Sequence, residues 1–170
     1  RIGDQIAGRM VFQLYSGLCP RTCENFLHLC KGDLPDATDP KTGETVKLSY
    51  KGSSFFRVVA GGWIQGGDLT TAGGTGGHSI YGRRFPDECF TVKHDEAGVI
   101  GMANEGEQTN NSQFYVTLAK AGWMNQRYVA FGRVVEGLDV MQAIGNVATR
   151  HNQTPIEKIV VDDCGYIQLQ

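Results

Sequence analysis

The sequence predicts a mainly β protein that is most simply one domain spanning residues 1–170. Short runs rich in β-branched and aromatic residues recur along the chain, and only two stretches have helical periodicity. Strands and helices do not alternate regularly, which argues against a doubly wound parallel sheet. Glycine accounts for 23 of the 170 residues, well above its usual share of about 7%, so many tight turns are expected. These observations favour a closed antiparallel barrel or a sandwich.

The elements follow in order along the chain. Side chains alternate between two faces over residues 9–15, which predicts a strand. A helix is predicted from Pro20, which suits a first helical turn, to Gly32, which can take the left-handed cap. Residues 33–47 lack periodicity and predict a long surface loop. Further strands are predicted over residues 55–60, 63–65, 99–104, 113–118, 128–135 and 156–161, and a second helix over 136–144.

Composition excludes several classes of function. The 16 basic and 18 acidic side chains give a net charge of −2, without the basic excess typical of nucleic-acid binding. No apolar run approaches the roughly 20 residues that a membrane helix needs. The five cysteines are an odd number without paired zinc-site spacing, which predicts free thiols in a reducing, cytoplasmic compartment. Because the chain begins with Arg1 rather than Met, we expect it to be part of a longer protein.

Three common kinds of site find no support in the motifs. The glycine pairs between residues 61 and 77 lack the Gly-Lys-Ser/Thr ending and the strand–loop–helix context of a phosphate loop, so close turns are favoured. The group His78, Asp87, Cys89 and His94 matches no familiar metal spacing. No serine lies in a Gly-x-Ser-x-Gly elbow. We therefore expect neither a metal nor a cofactor.

Two segments point to a binding groove instead. Arg57 lies inside an apolar strand, where an unpaired charge would be costly, so it should face a groove. Asn104 and the run Ser112-Gln113-Phe114-Tyr115 combine amides with aromatic rings, and Trp123-Met124 follows. Together they predict an apolar pocket rimmed by amide and guanidinium donors, which suits an extended peptide.

These segments, with several others in the same order, resemble the cyclophilin family of peptidyl-prolyl isomerases from about Gly8 to Gly165. The matching segments are Tyr50-Lys51-Gly52-Ser53, Phe56-Arg57, Gln65-Gly66-Gly67-Asp68, Gly76-Gly77, Ser79-Ile80-Tyr81-Gly82, Met102-Ala103-Asn104, Ser112-Gln113-Phe114 and Val129–Gly132. The resemblance implies an eight-stranded antiparallel barrel capped by two helices, with a groove that binds proline-containing peptides. The family's first strand precedes the segment equivalent to Gly3–Gly8, so we expect it to lie outside this chain. We expect upstream residues or another chain to cover that edge.

The resemblance also implies roles for individual residues. Arg57 corresponds to the donor that stabilises the twisted amide, and Gln65 to the side chain that orients this arginine and holds a substrate carbonyl. Asn104 and Gln113 correspond to contacts along the substrate. Trp123 is the residue type that the family also has at the matching position. The gate of the family's secondary pocket is matched here by Arg83, Arg84 and Glu105, so we expect that entrance to be narrowed by charge.

The proline pocket departs from the family pattern. Where the family has Phe, Met, Phe, Leu and His, this sequence has Gly62, Trp63, Tyr115, Met124 and Tyr128. Losing a buried Phe wall costs about 1.5–3 kcal/mol of apolar contact, and Trp63 either fills the gap or blocks the pocket. We therefore expect a binding groove with altered, reduced catalysis.

Two functions remain open at this point. The intact set of Arg57, Gln65 and Gln113 favours an isomerase of X-Pro bonds, whereas the altered pocket favours an inactive binding or structural subunit of a larger complex. Gly62-Trp63-Ile64-Gln65 with Phe114-Tyr115 also resembles the branch that includes the radial-spoke cyclophilin of ciliary axonemes. That likeness implies a location in a cilium or flagellum as an alternative to the general cytoplasm.

Overall fold

The computed structural model describes residues 1–168, which form eight strands, two α-helices and one 3₁₀ turn. The strands are β1 (Val11–Leu14), β2 (Ala37–Thr38), β3 (Thr45–Val46), β4 (Phe55–Val59), β5 (Trp63–Gly66), β6 (Val99–Met102), β7 (Phe114–Thr117) and β8 (Ala130–Glu136). The helices are α1 (Pro20–Lys31) and α2 (Leu138–Gly145), and the 3₁₀ turn spans Gly122–Met124. No helix within residues 1–168 has the length and apolar character needed to cross a membrane.

Six strands make one antiparallel sheet in the order β1-β8-β6-β7-β5-β4, and β2 pairs with β3. This arrangement confirms the mainly β fold with eight strands and two helices. Backbone bonds continue the sheet past β4, because the amide of Phe55 donates to the carbonyl of Ile159 at 3.0 Å. Ile159 in turn bridges to Ile2. That upstream residues or another chain cover the sheet edge beside these first residues stays a prediction.

Three elements differ from the sequence-based expectation. Residues 156–161 form isolated bridges rather than the predicted strand. The segment 33–47, predicted as a loop, contains the two-residue strands β2 and β3, which are too short to show alternation. The second helix begins at Leu138 rather than at residue 136, because β8 continues to Glu136 and Gly137 takes a left-handed conformation (φ 87°).

Helix α1 covers the sheet through its apolar stripe. The ring of Phe26 lies 5.3 Å from those of Phe114 and Phe131 and 5.2 Å from that of Tyr50, in edge-on and tilted contacts. Such pairs add about 0.5–1.5 kcal/mol each beyond their buried area. The core therefore lies between α1 and the sheet, and the opposite face of the central strands is left to form a site.

The N-terminus of α1 is capped from a distant loop. Cys19, at the N-cap position, makes no side-chain capping bond. The carboxylate of Glu88 instead accepts from the backbone amides of Arg21 and Thr22, each at 2.9 Å. An anion at this end also complements the helix dipole. The segment around Glu88 is thus fixed to the start of α1.

Candidate functional site

The register of the central strands aligns the predicted site residues in one row. Arg57 on β4 is opposite Gln65 on β5, Gln65 is opposite Tyr115 on β7, and Tyr115 is opposite Gly101 on β6. Residues opposite each other in antiparallel strands share a face. An irregularity of β4 between Phe55 and Arg57 resets the alternation, because an extra residue in one strand changes which side chains point outward.

Arg57 is half-buried on this face and has two fixed neighbours. Its Nε donates to Oε1 of Gln153 at 2.8 Å. Its guanidinium carbon lies 5.1 Å from the centroid of the Trp63 ring, which is within the range of a cation–π contact. That Arg57 faces a peptide-binding groove stays a prediction.

The amide of Gln65 bonds two other side chains of the described site, and its expected roles in orienting Arg57 and holding a substrate carbonyl stay predictions. Its Oε1 accepts from the indole Nε1 of Trp63 at 3.2 Å, and its Nε2 donates to Oε1 of Gln113 at 3.1 Å. The indole N–H of Trp63, two residues away on the same strand, thus occupies the amide oxygen of Gln65. Gln65 lies opposite Arg57, but the side-chain acceptor for the guanidinium is Gln153.

Gln113 is 7% exposed and its amide is bound within the protein. Its Nε2 donates to the carbonyls of Gly74 and Gly76 at 2.9 and 2.7 Å. The loop that carries these carbonyls is organised by Asp68, which accepts from the backbone amides of Thr70, Thr71, Gly74 and Gly76. Burial opposes the charge on Asp68, but these bonds and that from the Thr71 hydroxyl outweigh it and lower the pKa of the carboxyl. The glycine-rich segment is therefore a close-packed turn, as expected.

The residues expected to wall the proline pocket form a small apolar cluster of their own, separate from the main core. We call it the pocket cluster, and it comprises Trp63, Ala103, Tyr115, Ala121, Met124 and Tyr128. Ring centroids are 5.8 Å apart for Tyr115 and Tyr128, and 5.7 Å apart for Trp63 and the exposed Trp123. Trp123 also lies 6.3 Å from Tyr128. The structure thus brings together five of the predicted binding residues.

Gly62 precedes Trp63 and lies at the edge of this cluster. A Cβ added there would approach Cγ1 of Val59 to 3.2 Å. That contact is tight but movable, so the position is open to a larger side chain. The Phe wall is missing because position 62 is a glycine, and not because the backbone there excludes a larger side chain.

Tyr115 faces the protein interior through its hydroxyl, which bonds Nε2 of His94. Nδ1 of His94 lies 2.9 Å from Oδ1 of Asn125, and this oxygen also accepts from the backbone amide of His94. His94 therefore donates from Nδ1 and accepts at Nε2 in its neutral form. A Cβ at Gly101 would lie 2.1 Å from the Tyr115 hydroxyl, so this glycine makes the room that the hydroxyl needs.

Asn104 and the expected gate lie beside a second opening. A cavity of about 570 Å³ is lined by residues that include Asn104, Glu105, Arg127 and Tyr128. Nδ2 of Asn104 donates to the carbonyl of Arg127 at 3.0 Å. Nη2 of Arg84 donates to Oε2 of Glu105 at 2.7 Å, in an exposed ion pair. Arg84 and Glu105 thus form an ion pair, while the narrowing of the gate by charge, its effect on peptide selection and any part taken by Arg83 stay predictions.

Sequence reasoning missed three residues of this site: His94, Gly101 and Gln153. The sequence pattern raised His94 only as a possible metal ligand. Gly101 carried a signal, since a glycine inside a strand often marks a close approach by another group. No sequence signal pointed to Gln153, because it lies 96 residues from its partner Arg57.

The chain belongs to the cyclophilin family. The family model for the cyclophilin type peptidyl-prolyl cis-trans isomerase matches residues 2–166. This match agrees with the fold.

Among known proteins, the chain is similar to a bovine (Bos taurus) protein named probable inactive peptidyl-prolyl cis-trans isomerase-like 6, with 46% identity over 94% of this chain and 50% of that protein. It is 43% identical to peptidyl-prolyl cis-trans isomerase D of Kluyveromyces lactis, over 98% of this chain and 44% of that protein. It is 45% identical to the mouse (Mus musculus) NK-tumor recognition protein, over 98% of this chain and 11% of that protein. The chain thus spans half or less of the length of these relatives.

Burial lowers the pKa of His94 below its ordinary value of about 6.5. Below that pH the unfolded chain takes up a proton that the folded chain does not, so the free energy of unfolding should fall from about pH 6.5 towards the lowered pKa. Urea unfolding at several pH values between 7.5 and 5 measures this fall. The His94→Gln variant removes the titration and should show a flatter profile; parallel profiles for the two proteins would contradict the prediction.

Proposed function

We propose that this chain binds proline-containing segments of other polypeptides and catalyses rotation about their X-Pro bonds at a reduced rate. The observation that carries the proposal is the placement of Arg57. Its Nε is engaged by Gln153, and its guanidinium lies against Trp63 at the rim of the pocket cluster. The two terminal nitrogens of the guanidinium are left for a peptide lying in the groove.

The chemistry requires neither a nucleophile nor a proton transfer. Rotation about the X-Pro bond crosses a barrier of roughly 18–20 kcal/mol because the amide loses its partial double-bond character. In the twisted state the proline nitrogen regains a lone pair, to which an Nη of Arg57 can donate. A bond to a charged donor contributes about 1.5–3 kcal/mol, which corresponds to roughly 10- to 150-fold in rate when it forms only in the transition state.

The contacts within the pocket cluster support a reduced rate. Tyr115 and Met124 are each 2% exposed, and Tyr115 packs edge-on against Tyr128 with centroids 5.8 Å apart. Little of the apolar surface of the cluster is therefore open to a proline ring. A proline bound at its exposed side, near Trp123, would be less constrained in its orientation relative to Arg57.

A second candidate function is binding without catalysis, as a subunit of a larger complex. The burial of Tyr115 and Met124 within the pocket cluster favours it, and similar proteins carry the name probable inactive peptidyl-prolyl cis-trans isomerase-like 6. A proline segment can stack on exposed aromatic rings such as Trp123 without being isomerised. Proton-exchange NMR on a proline peptide separates the two functions, since it reports binding and cis/trans interchange independently.

We also propose where the protein is located in the cell. This part of the proposal rests only on the resemblance of Gly62–Gln65 to the branch that includes the radial-spoke cyclophilin. The candidates are the general cytoplasm and the axoneme of a cilium or flagellum, where the chain would be a radial-spoke component. A fluorescent fusion of the full-length protein in ciliated cells distinguishes a diffuse signal from one along the axoneme.

Replacing Arg57 with alanine should lower kcat/KM at least tenfold, because it removes the donor to the twisted amide. Peptide binding should weaken much less, since the pocket cluster remains. Exchange NMR on an X-Pro peptide gives both values from one titration. If the wild-type protein shows no enhanced exchange at high concentration, the catalytic part of the proposal is wrong and binding alone remains.

Restoring the family pattern with Gly62→Phe, Trp63→Met and Tyr128→His should raise turnover. The triple variant rebuilds the apolar wall and also frees Oε1 of Gln65 from the indole that now occupies it. The single Trp63→Met variant serves as the matched control, because it frees Gln65 without adding the wall. A wild-type rate already equal to that of an active cyclophilin would show that Trp63 does not impair the pocket.

A further inference from the structure

Gln153 has a backbone conformation that its side-chain type rarely adopts. Its φ is 69°, in the left-handed region that favours glycine. It lies in a tight turn, where its amide donates to the carbonyl of Arg150 at 2.9 Å. A glycine would fit this turn with less strain, so the glutamine side chain calls for a reason.

The backbone of Gln153 is joined directly to β4. Its carbonyl accepts from the amide of Val58 at 2.9 Å, and its side-chain Oε1 accepts from Nε of the preceding residue, Arg57, at 2.8 Å. Two bonds therefore connect one turn residue to two consecutive strand residues. This arrangement fixes the guanidinium from its inner nitrogen while its outer nitrogens face away from the bond.

No other side-chain amide within the described site accepts a hydrogen bond from the Arg57 guanidinium. Gln65, opposite Arg57 on β5, has its oxygen bound by Trp63 and its nitrogen bound to Gln113. The Trp63 ring packs against one side of the guanidinium, and Gln153 supplies the hydrogen-bond acceptor for its Nε. Arginine has many rotamers, so a single fixed acceptor has a large effect on where its charge is presented.

We propose that Gln153 is a positioning residue that orients the Arg57 guanidinium for the twisted X-Pro amide. This inference rests on the proposed isomerase function. Gln153 does not touch the peptide; it acts through Arg57.

The test compares Gln153→Gly, Gln153→Leu and Gln153→Glu, with Asn152→Ala as a control in the same turn. Exchange NMR on one X-Pro peptide gives kcat and KM, and thermal unfolding gives stability. Gly and Leu should each lower kcat several-fold, to about tenfold, with KM within about twofold. Gly should unfold at the same or a higher temperature than the wild type, because it relieves the backbone. Glu keeps an acceptor and should retain more activity than Leu, and Asn152→Ala should match the wild type.

The double variant separates positioning from a general structural effect. In an Arg57→Ala background, Gln153→Gly should change kcat no further; an equal fall in both backgrounds would overturn the inference. Absence of any Arg57-dependent rate would contradict the proposed function, whereas an Arg57-dependent rate insensitive to Gln153 would contradict this inference alone. A readout independent of activity is the Nε–H resonance of Arg57: it should be protected from solvent exchange in the wild type and lose that protection in Gln153→Gly, and an unprotected wild-type resonance overturns the inference.

A separate observation concerns two thiols at the start of α1. The sulfur atoms of Cys19 and Cys89 lie 2.7 Å apart, although the residues are 70 positions apart in the chain. Both are free thiols in this structure. Cys19 is fully buried at the start of α1, whereas Cys89 is partly exposed and follows Glu88, the capping residue of that helix.

We infer that Cys19 and Cys89 form a reversible disulfide when the protein meets a peroxide. The peroxide reaches the partly exposed Cys89 and oxidises its thiol to a sulfenic acid, with release of one water. The Cys19 sulfur then attacks the sulfenic sulfur, and a second water leaves as the S–S bond forms. Burial raises the pKa of the Cys19 thiol, so Cys19 is not the first thiol to react, and its attack on Cys89 depends on the short distance between the two sulfur atoms.

Peptide mapping after treatment with hydrogen peroxide tests this inference. One intramolecular disulfide joining Cys19 to Cys89 is expected, and dithiothreitol should reverse it. Cys89→Ser should abolish the disulfide, while Cys164→Ser, at a cysteine remote in sequence, should leave it intact. Recovery of both thiols in alkylatable form, or a bridge from Cys89 to the neighbouring Cys23, would overturn the inference.

Discussion

The alignment of β4, β5, β7 and β6 is the constraint on which the site depends. It places Arg57, Gln65, Tyr115 and Gly101 side by side across four strands. Because side chains alternate along a strand, a slip of one residue in any pairing would turn that member of the row into the core. The core contacts of Phe26 and Phe114 on the opposite face hold this alignment. Packing on one side of the sheet therefore determines which polar groups meet on the other.

Within that row, the hydrogen bonds are set by competition between neighbours. Trp63 brings an indole N–H within reach of Gln65, which then turns its amide towards Gln113. The guanidinium of Arg57 is bound instead by Gln153. The indole of Trp63 on β5 thus starts a series of side-chain hydrogen bonds that runs through Gln65 to Gln113. The same residues remain present, but they are joined in a different order from the one that the family resemblance implies.

The sequence was sufficient for the elements that have a repeating pattern and insufficient for contacts between distant segments. The alternation before Leu14 and the apolar stripe of α1 predicted a strand and a helix within a few residues. The two-residue strands β2 and β3 have no period to detect. The family resemblance identified Arg57 and the pocket residues, whereas the partnership with Gln153 depends on a turn 96 residues away. Such pairings follow from tertiary packing, which no local pattern records.

The departures at positions 115 and 63 differ in their consequences for the groove. The hydroxyl of Tyr115 points away from the pocket cluster to His94, in space that Gly101 leaves open, and Tyr115 is 2% exposed. The added hydroxyl is therefore accommodated inside the protein, and it does not introduce a polar group into the groove. Trp63 instead contacts the exposed Trp123 and the guanidinium of Arg57. Of these two departures, the one at position 63 therefore changes the surroundings of the arginine, whereas the one at position 115 does not.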